Sequence, residues 1–186
     1  MTPGAESWRV ACHEAGHAVA SLLLGRALGC TLFDGGGGAC APETPPDPAT
    51  VPDFKIHTAT RLHGRWTGKP MAAVLDDCAI YAAGRVAEAI VCHHAIGPGF
   101  VVVDGPDGQL IESAAVEVLD RYPSIEAANA WRQLAVACAW RVLRPHADSI
   151  RAIASELQER RSLTADAVSA IHERTTNRKD PESCPQ

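Results

Sequence analysis

Two long stretches of apolar residues, spaced three and four positions apart, most constrain the fold of this 186-residue chain. The first stretch runs from Glu6 to Leu24 and is followed by Gly25, a residue that commonly ends a helix. The second runs from Lys69 to Cys92 and carries a broad apolar stripe. Because this spacing follows the period of a helix and not that of a strand, the sequence predicts two buried helices.

The other predicted elements are shorter, and most of them are helical as well. The apolar run Cys30–Phe33, bounded by glycines, predicts one short strand, and Phe100–Val103 predicts a brief extended segment. Further helices are predicted from an N-cap at Asp107 to about Leu119, at Ile125–Leu143, at Ala147–Arg160 and at Thr164–Arg174. We therefore expect a mostly α fold with a short, minor β element.

Glycine, proline and polar residues indicate the domain organisation. Residues 34–54 contain four consecutive glycines and five prolines, so we predict a mobile loop there. The polar residues 175–186 are predicted to form a disordered tail. Residues 1–174 are then long enough to form one domain with its own core.

Charge and cysteine content narrow the possible classes of function. The 17 basic and 22 acidic residues give a net charge of −5, which argues against a nucleic-acid partner. The apolar stretch near the N-terminus is too short to span a bilayer, so we predict no membrane segment. The seven cysteines form no CxxC pair, which is typical of reduced thiols and predicts a cytoplasmic location.

His13-Glu14-Ala15-Gly16-His17 is an HExxH sequence inside the first predicted helix. The i, i+4 spacing places both imidazoles on one helix face, where they can bind one zinc ion. The carboxylate of Glu14 lies where it can accept a proton from a water molecule. Catalytic zinc usually has three protein ligands, so a third ligand must come from elsewhere in the chain.

Two motifs together make this chain resemble the peptidase domain of FtsH, the ATP-dependent zinc metalloprotease. The first is the helix that carries the HExxH sequence. The second is Ala83-Gly84-Arg85-Val86-Ala87-Glu88, which is similar to the Gly-Gly-Arg-x-Ala-Glu helix of that family, with Ala83 in place of the first glycine. The resemblance covers roughly Trp8 to Ile171 and implies an FtsH-peptidase-like helical domain.

The resemblance also implies a third zinc ligand, an aspartate in a loop after the second motif, at the start of a helix. The distance from Glu88 favours Asp104, whereas the predicted helix start favours Asp107. We predict Asp107 as the ligand and keep Asp104 as the alternative. Glu88 is predicted to accept a hydrogen bond from a ligand imidazole, and its alternative role is that of the third ligand, as in thermolysin-like sites.

Together these residues predict a zinc metallopeptidase, a hydrolase that cleaves peptide bonds in peptides or unfolded protein segments. The resemblance implies that His13, His17 and Asp107 hold Zn²⁺ and that Glu14 is the catalytic base. We also predict that the strand residues Thr31, Leu32 and Phe33 pair with an extended substrate along a free edge.

Partners and an alternative function follow from how the chain differs from a full FtsH protein. FtsH also carries membrane helices and an ATPase with a P-loop, and this sequence has no GxxxxGK[ST] motif. A separate ATPase unfoldase is therefore one candidate partner, and further copies of the chain are another, since the family forms six-fold rings. The alternative function is a non-catalytic interaction protein that keeps the FtsH peptidase fold, with or without a structural zinc.

Overall fold

A computed structural model describes residues 3–26, 28–33, 37–41, 69–93, 95, 97–119 and 124–177. Within them the elements follow the order α1 (Pro3–Leu23), β1 (Gly29–Leu32), β2 (Gly38–Ala41), α2 (Met71–Val91), α3 (Gly105–Val118), α4 (Ile125–Leu143), α5 (Ala147–Arg160), β3 (Ser162–Leu163) and α6 (Ala165–Asn177). The prediction of a mostly α fold with a minor β element is confirmed. None of the described helices combines the length and the hydropathy that crossing a membrane requires.

The start of α3 differs from the prediction. The helix begins at Gly105, so Asp104 occupies the N-cap position and Asp107 lies in the first turn. The prediction that Asp107 caps this helix is therefore wrong. Pro106 fits inside the first turn because no intrahelical partner is needed for a backbone N–H at that position.

Three smaller predictions also differ from the structure. A 3₁₀ turn covers Pro98–Phe100, so the predicted extended segment does not include Phe100. The backbone at Val101 is extended, with φ −98° and ψ 121°, and it pairs with no described strand. Part of the predicted mobile loop forms β2, while residues 34–36 and 42–54 lie outside the described residues. Helix α6 continues through residues 175–177 of the predicted tail, and the remainder of that tail is outside the described residues.

Helix α1 lies at the centre of the molecule. From Ala11 to Ser21 every residue except His13 is buried. The helix packs against α2 on one side and against α5 and the sheet on others. This burial on all sides explains why small apolar residues occupy every face of α1.

Helices α1 and α2 approach each other closely at Gly16. A Cβ atom added at Gly16 would lie 2.5 Å from the carbonyl oxygen of Ala83 and 2.5 Å from the Cβ of Ala87. Glycine is therefore required at this position because a side chain would not fit between the two helices, and not because of the backbone dihedral angles. The close approach places the HExxH segment directly against the second motif.

Strand β1 is the central strand of the small antiparallel sheet, whose order is β2-β1-β3. Cys30 pairs with Cys40 of β2 on one side and with Leu163 of β3 on the other. The predicted free edge is therefore wrong at Thr31, which pairs with Ala39 and Ser162, and at Leu32, which pairs with Gly38 and donates to the carbonyl of Arg161. Phe33 follows the end of β1, and its N–H donates to the carbonyl of Gly37. Strand β3 has only two residues, and a segment that short carries no periodic sequence pattern.

Candidate metal centre

Three potential ligand atoms converge where α1 faces the start of α3. The Nε2 atom of His13 lies 3.0 Å from Nε2 of His17 and 3.2 Å from Oδ2 of Asp107. The third separation, between Nε2 of His17 and Oδ2 of Asp107, is 3.5 Å. Zn–N and Zn–O bonds near 2.0–2.1 Å in a tetrahedral site place ligand atoms roughly 3.3 Å apart, and the three distances bracket that value.

Hydrogen bonds on the opposite side of each ring fix which nitrogen carries the proton. The Nδ1 atom of His13 donates to Oε1 of Glu88 over 2.6 Å. The Nδ1 atom of His17 donates to the backbone carbonyl oxygen of Ile80 over 2.7 Å. In the neutral form of each ring the lone pair is therefore on Nε2, the atom that points toward Asp107.

Two arginines hold Glu88 in the position that His13 requires. The Nη1 atom of Arg9 lies 2.7 Å from Oε2 of Glu88, and Nη1 of Arg85 lies 3.2 Å from the same oxygen. Burial opposes ionisation of Glu88, but the hydrogen bonds from His13 and Arg9 lower its pKa to about 2. Glu88 is therefore an ionised acceptor behind His13, on the side of the ring away from Nε2.

The structure brings Asp107, and not Asp104, to the two histidines. Asp104 is 66% exposed in its side chain and binds Arg85, with Oδ1 2.6 Å from Nη2. Although burial alone would raise the pKa of Asp107, His17 and His13 hold it well below its usual range. Asp107 is thus a negatively charged group that faces both imidazoles.

The charges around His13 favour a positive charge at the centre of the cluster. Burial alone would lower the pKa of His13, but Asp107, Glu88 and Glu14 raise it to about 10. A group of imidazoles and carboxylates with this electrostatic preference is suited to a cation.

Gly84 leaves the space that the His13 ring occupies. A Cβ atom at Gly84 would lie 2.4 Å from Nε2 of His13 and 2.5–2.6 Å from its Cε1 and Cδ2. The second motif therefore has a separate physical role at each of three positions. Gly84 gives the ring room, Ala87 contacts Gly16, and Glu88 orients the imidazole.

Glu14 lines the same cleft, but its carboxylate faces the sheet. The Sγ atom of Cys40 lies 3.3 Å from Oε2 of Glu14 and 3.2 Å from its backbone oxygen. On the other side, a Cβ atom at Gly38 would lie 2.4–2.8 Å from Cγ, Cδ and Oε1 of Glu14. Burial raises the pKa of the Glu14 carboxyl group, which makes the ionised form a stronger base.

The cleft over this cluster has a volume of about 240 Å³. Its walls include the three converging groups, Glu14, and the backbone of Gly37 and Gly38. The site therefore combines a potential metal centre with a buried carboxylate in a space that accommodates a small part of a ligand.

Several contributors to the site were not identified from the sequence. Arg9 precedes His13 by four residues on the same helix face, so its spacing was a usable signal. The contact between His17 and the backbone carbonyl of Ile80 cannot be predicted from the sequence, because every residue has such a carbonyl. Gly38 and Cys40 lie in a glycine-rich and proline-rich stretch that does not resemble a strand.

His13, His17 and Asp107 are the one group of three or more potential metal-binding side chains found in the described part of the chain. Their ligand atoms all lie within 4.8 Å of one another. In comparisons with known proteins, no family model and no curated protein matches this chain.

Proposed function

We propose that this protein is a zinc-dependent metallopeptidase with an FtsH-peptidase-like fold that cleaves peptides or unfolded protein segments. The observation that carries the proposal is the convergence of Nε2 of His13, Nε2 of His17 and Oδ2 of Asp107 beside the cleft that Glu14 lines. The HExxH sequence alone predicts two of these groups. The position of Asp107, 90 residues further along the chain than His17, supplies an independent argument.

The donor set fits zinc in its chemistry as well as in its spacing. Two neutral imidazoles and one carboxylate are typical ligands of catalytic zinc, which keeps a further position open. With both Nδ1 atoms used as donors, three lone-pair atoms face one point, and a cation is the group that all three can share. The buried Glu88 behind His13 matches the carboxylate that commonly supports a ligand histidine.

In this proposal His13, His17 and Asp107 hold the ion, and Glu14 moves the proton. Zinc bound there would polarise the substrate carbonyl and lower the pKa of water. The carboxylate of Glu14 accepts a proton from the attacking water and then delivers it to the nitrogen of the leaving amine. Glu88 and the carbonyl of Ile80 keep both imidazoles in the orientation and tautomer that metal binding needs.

The test combines metal content with peptide cleavage. We would measure bound zinc in the wild type and in His17→Ala, Asp107→Ala and Asp104→Ala after reconstitution. We would also measure cleavage of casein and a fluorogenic peptide by the wild type and Glu14→Gln. We expect one zinc per chain in the wild type and Asp104→Ala, loss of zinc in the other two, and loss of cleavage in Glu14→Gln with zinc retained.

The outcomes separate the enzyme from the alternative function. A wild type that binds no zinc after reconstitution contradicts the proposal. A wild type that binds zinc at His13, His17 and Asp107 but cleaves neither substrate favours the non-catalytic interaction protein. Zinc that depends on Asp104 instead of Asp107 contradicts the ligand assignment.

A further inference from the structure

The catalytic carboxylate has an unusual hydrogen-bond partner in this structure. Within the residues that the structure describes, the thiol of Cys40 is the one side-chain donor that reaches the carboxylate of Glu14, over 3.3 Å. The hydrogen bonds described for the site that do not involve Cys40 hold His13, His17, Glu88 or Asp104, and none of them reaches the carboxylate of Glu14. The position of the Glu14 carboxylate is therefore set by elements different from those that set the ligands.

Strand pairing determines where the Cys40 thiol lies. Cys40 on β2 is directly opposite Cys30 on the central strand β1, and both residues are buried. Strands β1 and β2 both pack against α1, the helix that carries Glu14. The register of this strand pair thus places the thiol of Cys40 against the turn of α1 that carries Glu14.

The thiol stays protonated and can therefore act as a donor. Burial, followed by the neighbouring Cys30 thiol and Glu14, raises the pKa of Cys40 well above its usual value. A protonated thiol has one hydrogen to donate, and both Oε2 and the backbone oxygen of Glu14 lie within its reach, at 3.3 and 3.2 Å.

We propose that Cys40 is a positioning residue that holds the Glu14 carboxylate in place at the wall of the cleft through an S–H···O hydrogen bond. This inference rests on the proposed peptidase function. Cys40 restrains Oε2, while the backbone at Gly38 restricts the side of the carboxylate that carries Oε1. A glutamate side chain has three rotatable bonds, so contact on both sides reduces the positions that its carboxylate can adopt.

The kinetic test compares Cys40→Ala, which removes the donor, with Cys40→Ser, which keeps one. We expect Cys40→Ala to lower kcat by about 10-fold, a part of the 10²- to 10⁴-fold that general base catalysis contributes, with KM and bound zinc unchanged. Cys40→Ser should restore kcat to within about threefold of the wild type. Equal losses in the two variants, or no loss in Cys40→Ala, would overturn the proposal.

Cys78→Ala is the matched control, because Cys78 is also a buried thiol but belongs to α2 and accepts a hydrogen bond from Trp131. Its kcat should equal that of the wild type. A kcat loss in Cys78→Ala as large as that in Cys40→Ala would show that the loss of any buried thiol has the same effect.

A second test needs neither zinc nor activity. The infrared S–H stretching band of Cys40 can be isolated in metal-free protein as the difference between the wild type and Cys40→Ala. We expect this band at lower frequency than the bands of the other thiols, and we expect it to shift in Glu14→Gln, where an amide replaces the carboxyl group. A band that does not move in Glu14→Gln contradicts the hydrogen bond.

The two tests distinguish failure of this inference from failure of the proposed function. An inactive wild type with a shifted S–H band contradicts the peptidase but supports the contact between Cys40 and Glu14. An active wild type with an unshifted band contradicts the role of Cys40 and leaves the peptidase proposal standing.

Discussion

The two walls of the site are built in different ways. The helical wall, where α1 meets α2, holds His13 and His17 through short hydrogen bonds of 2.6 and 2.7 Å to Glu88 and the Ile80 carbonyl. The strand wall, formed by β2, contacts Glu14 through one thiol at 3.3 Å and one glycine backbone. In the helical wall, a charged side chain and a helix carbonyl hold the histidines in position. In the strand wall, close packing and one weak thiol donor hold Glu14.

Under the proposed function, this difference predicts that metal binding and proton transfer can be altered separately. The three converging groups depend on the fit between α1, α2 and the first turn of α3. The carboxylate of Glu14 extends from the same helix as the histidines, but its contacts belong to the sheet. A change in the helical wall should therefore alter zinc affinity, and a change in the strand wall should alter turnover with zinc still bound.

The largest expected effect comes from Gly84→Ala, which affects the helical wall. The added methyl would lie 2.4–2.6 Å from the ring of His13, and that ring is held on both sides by Glu88 and Asp107. We expect a loss of zinc affinity of more than about 100-fold, because a ligand is displaced and not merely loosened. Competition with a chromophoric chelator measures the affinity.

Gly97→Ala is the control for that substitution, since nothing lies within 4 Å of a Cβ at Gly97. Its zinc affinity should match the wild type. If Gly84→Ala binds zinc as tightly as Gly97→Ala does, the described position of the His13 ring is incorrect.

Gly38→Ala tests the strand wall in the same manner. The methyl would lie 2.4–2.8 Å from the carboxylate end of Glu14, so that side chain must move. We expect kcat to fall by about 100-fold, which is the cost typical of a misplaced catalytic group, while zinc affinity stays within about threefold of the wild type. Gly99→Ala, which meets no atom within 4 Å, is the control. Loss of zinc in Gly38→Ala would mean that the two walls are not separable.

Glu88→Gln weakens the helical wall without changing its shape. The amide can still accept a hydrogen bond from His13, but the charge that binds Arg9 and Arg85 is lost. We expect zinc affinity to fall by about 10-fold, within the range for a group that supports a ligand. The same substitution at Glu156, which forms an exposed pair with Arg160, should have no effect on zinc titrations. An affinity equal to that of the wild type would limit Glu88 to a purely structural role.

The smallest effect is expected for Asp104→Ala. Asp104 is exposed and, among the described residues, connects to His13 only through Arg85 and Glu88, and exposed ion pairs contribute little. Zinc affinity should change by less than about threefold in isothermal titration. A loss comparable to that of Asp107→Ala would contradict the separation of the two aspartates seen in the structure.

The sequence predicted the helical wall more fully than the strand wall, for physical reasons. A helix places residues four apart on one face, so the spacing of His13 and His17 already indicates their geometry. The positions of Asp107 and Glu88 came from a resemblance in sequence motifs. That resemblance left Asp104 open, and Asp107 was preferred because a helix start was predicted there. Helix α3 begins at Gly105 instead, so the argument for Asp107 was wrong although the structure places Asp107 beside the histidines.

The strand wall has no comparable pattern in the sequence. Strands β2 and β3 have four and two residues, and their pairing with β1 joins segments far apart in the chain. Tertiary contact, and not local spacing, brings Cys40 to Glu14. For the same reason the central position of β1, and with it the loss of the predicted free edge, could not be read from residues 30–33.

The partner of His17 also affects how the site can change by mutation. The acceptor for its Nδ1 is the backbone carbonyl of Ile80, which every amino acid at that position would supply. The acceptor for His13 is a side chain, which a single codon change can remove. Among descendants of this sequence, substitutions at the residues around His13 should therefore change metal affinity gradually. Substitutions at Ile80 should leave the orientation of His17 unchanged, because the helix backbone supplies its acceptor.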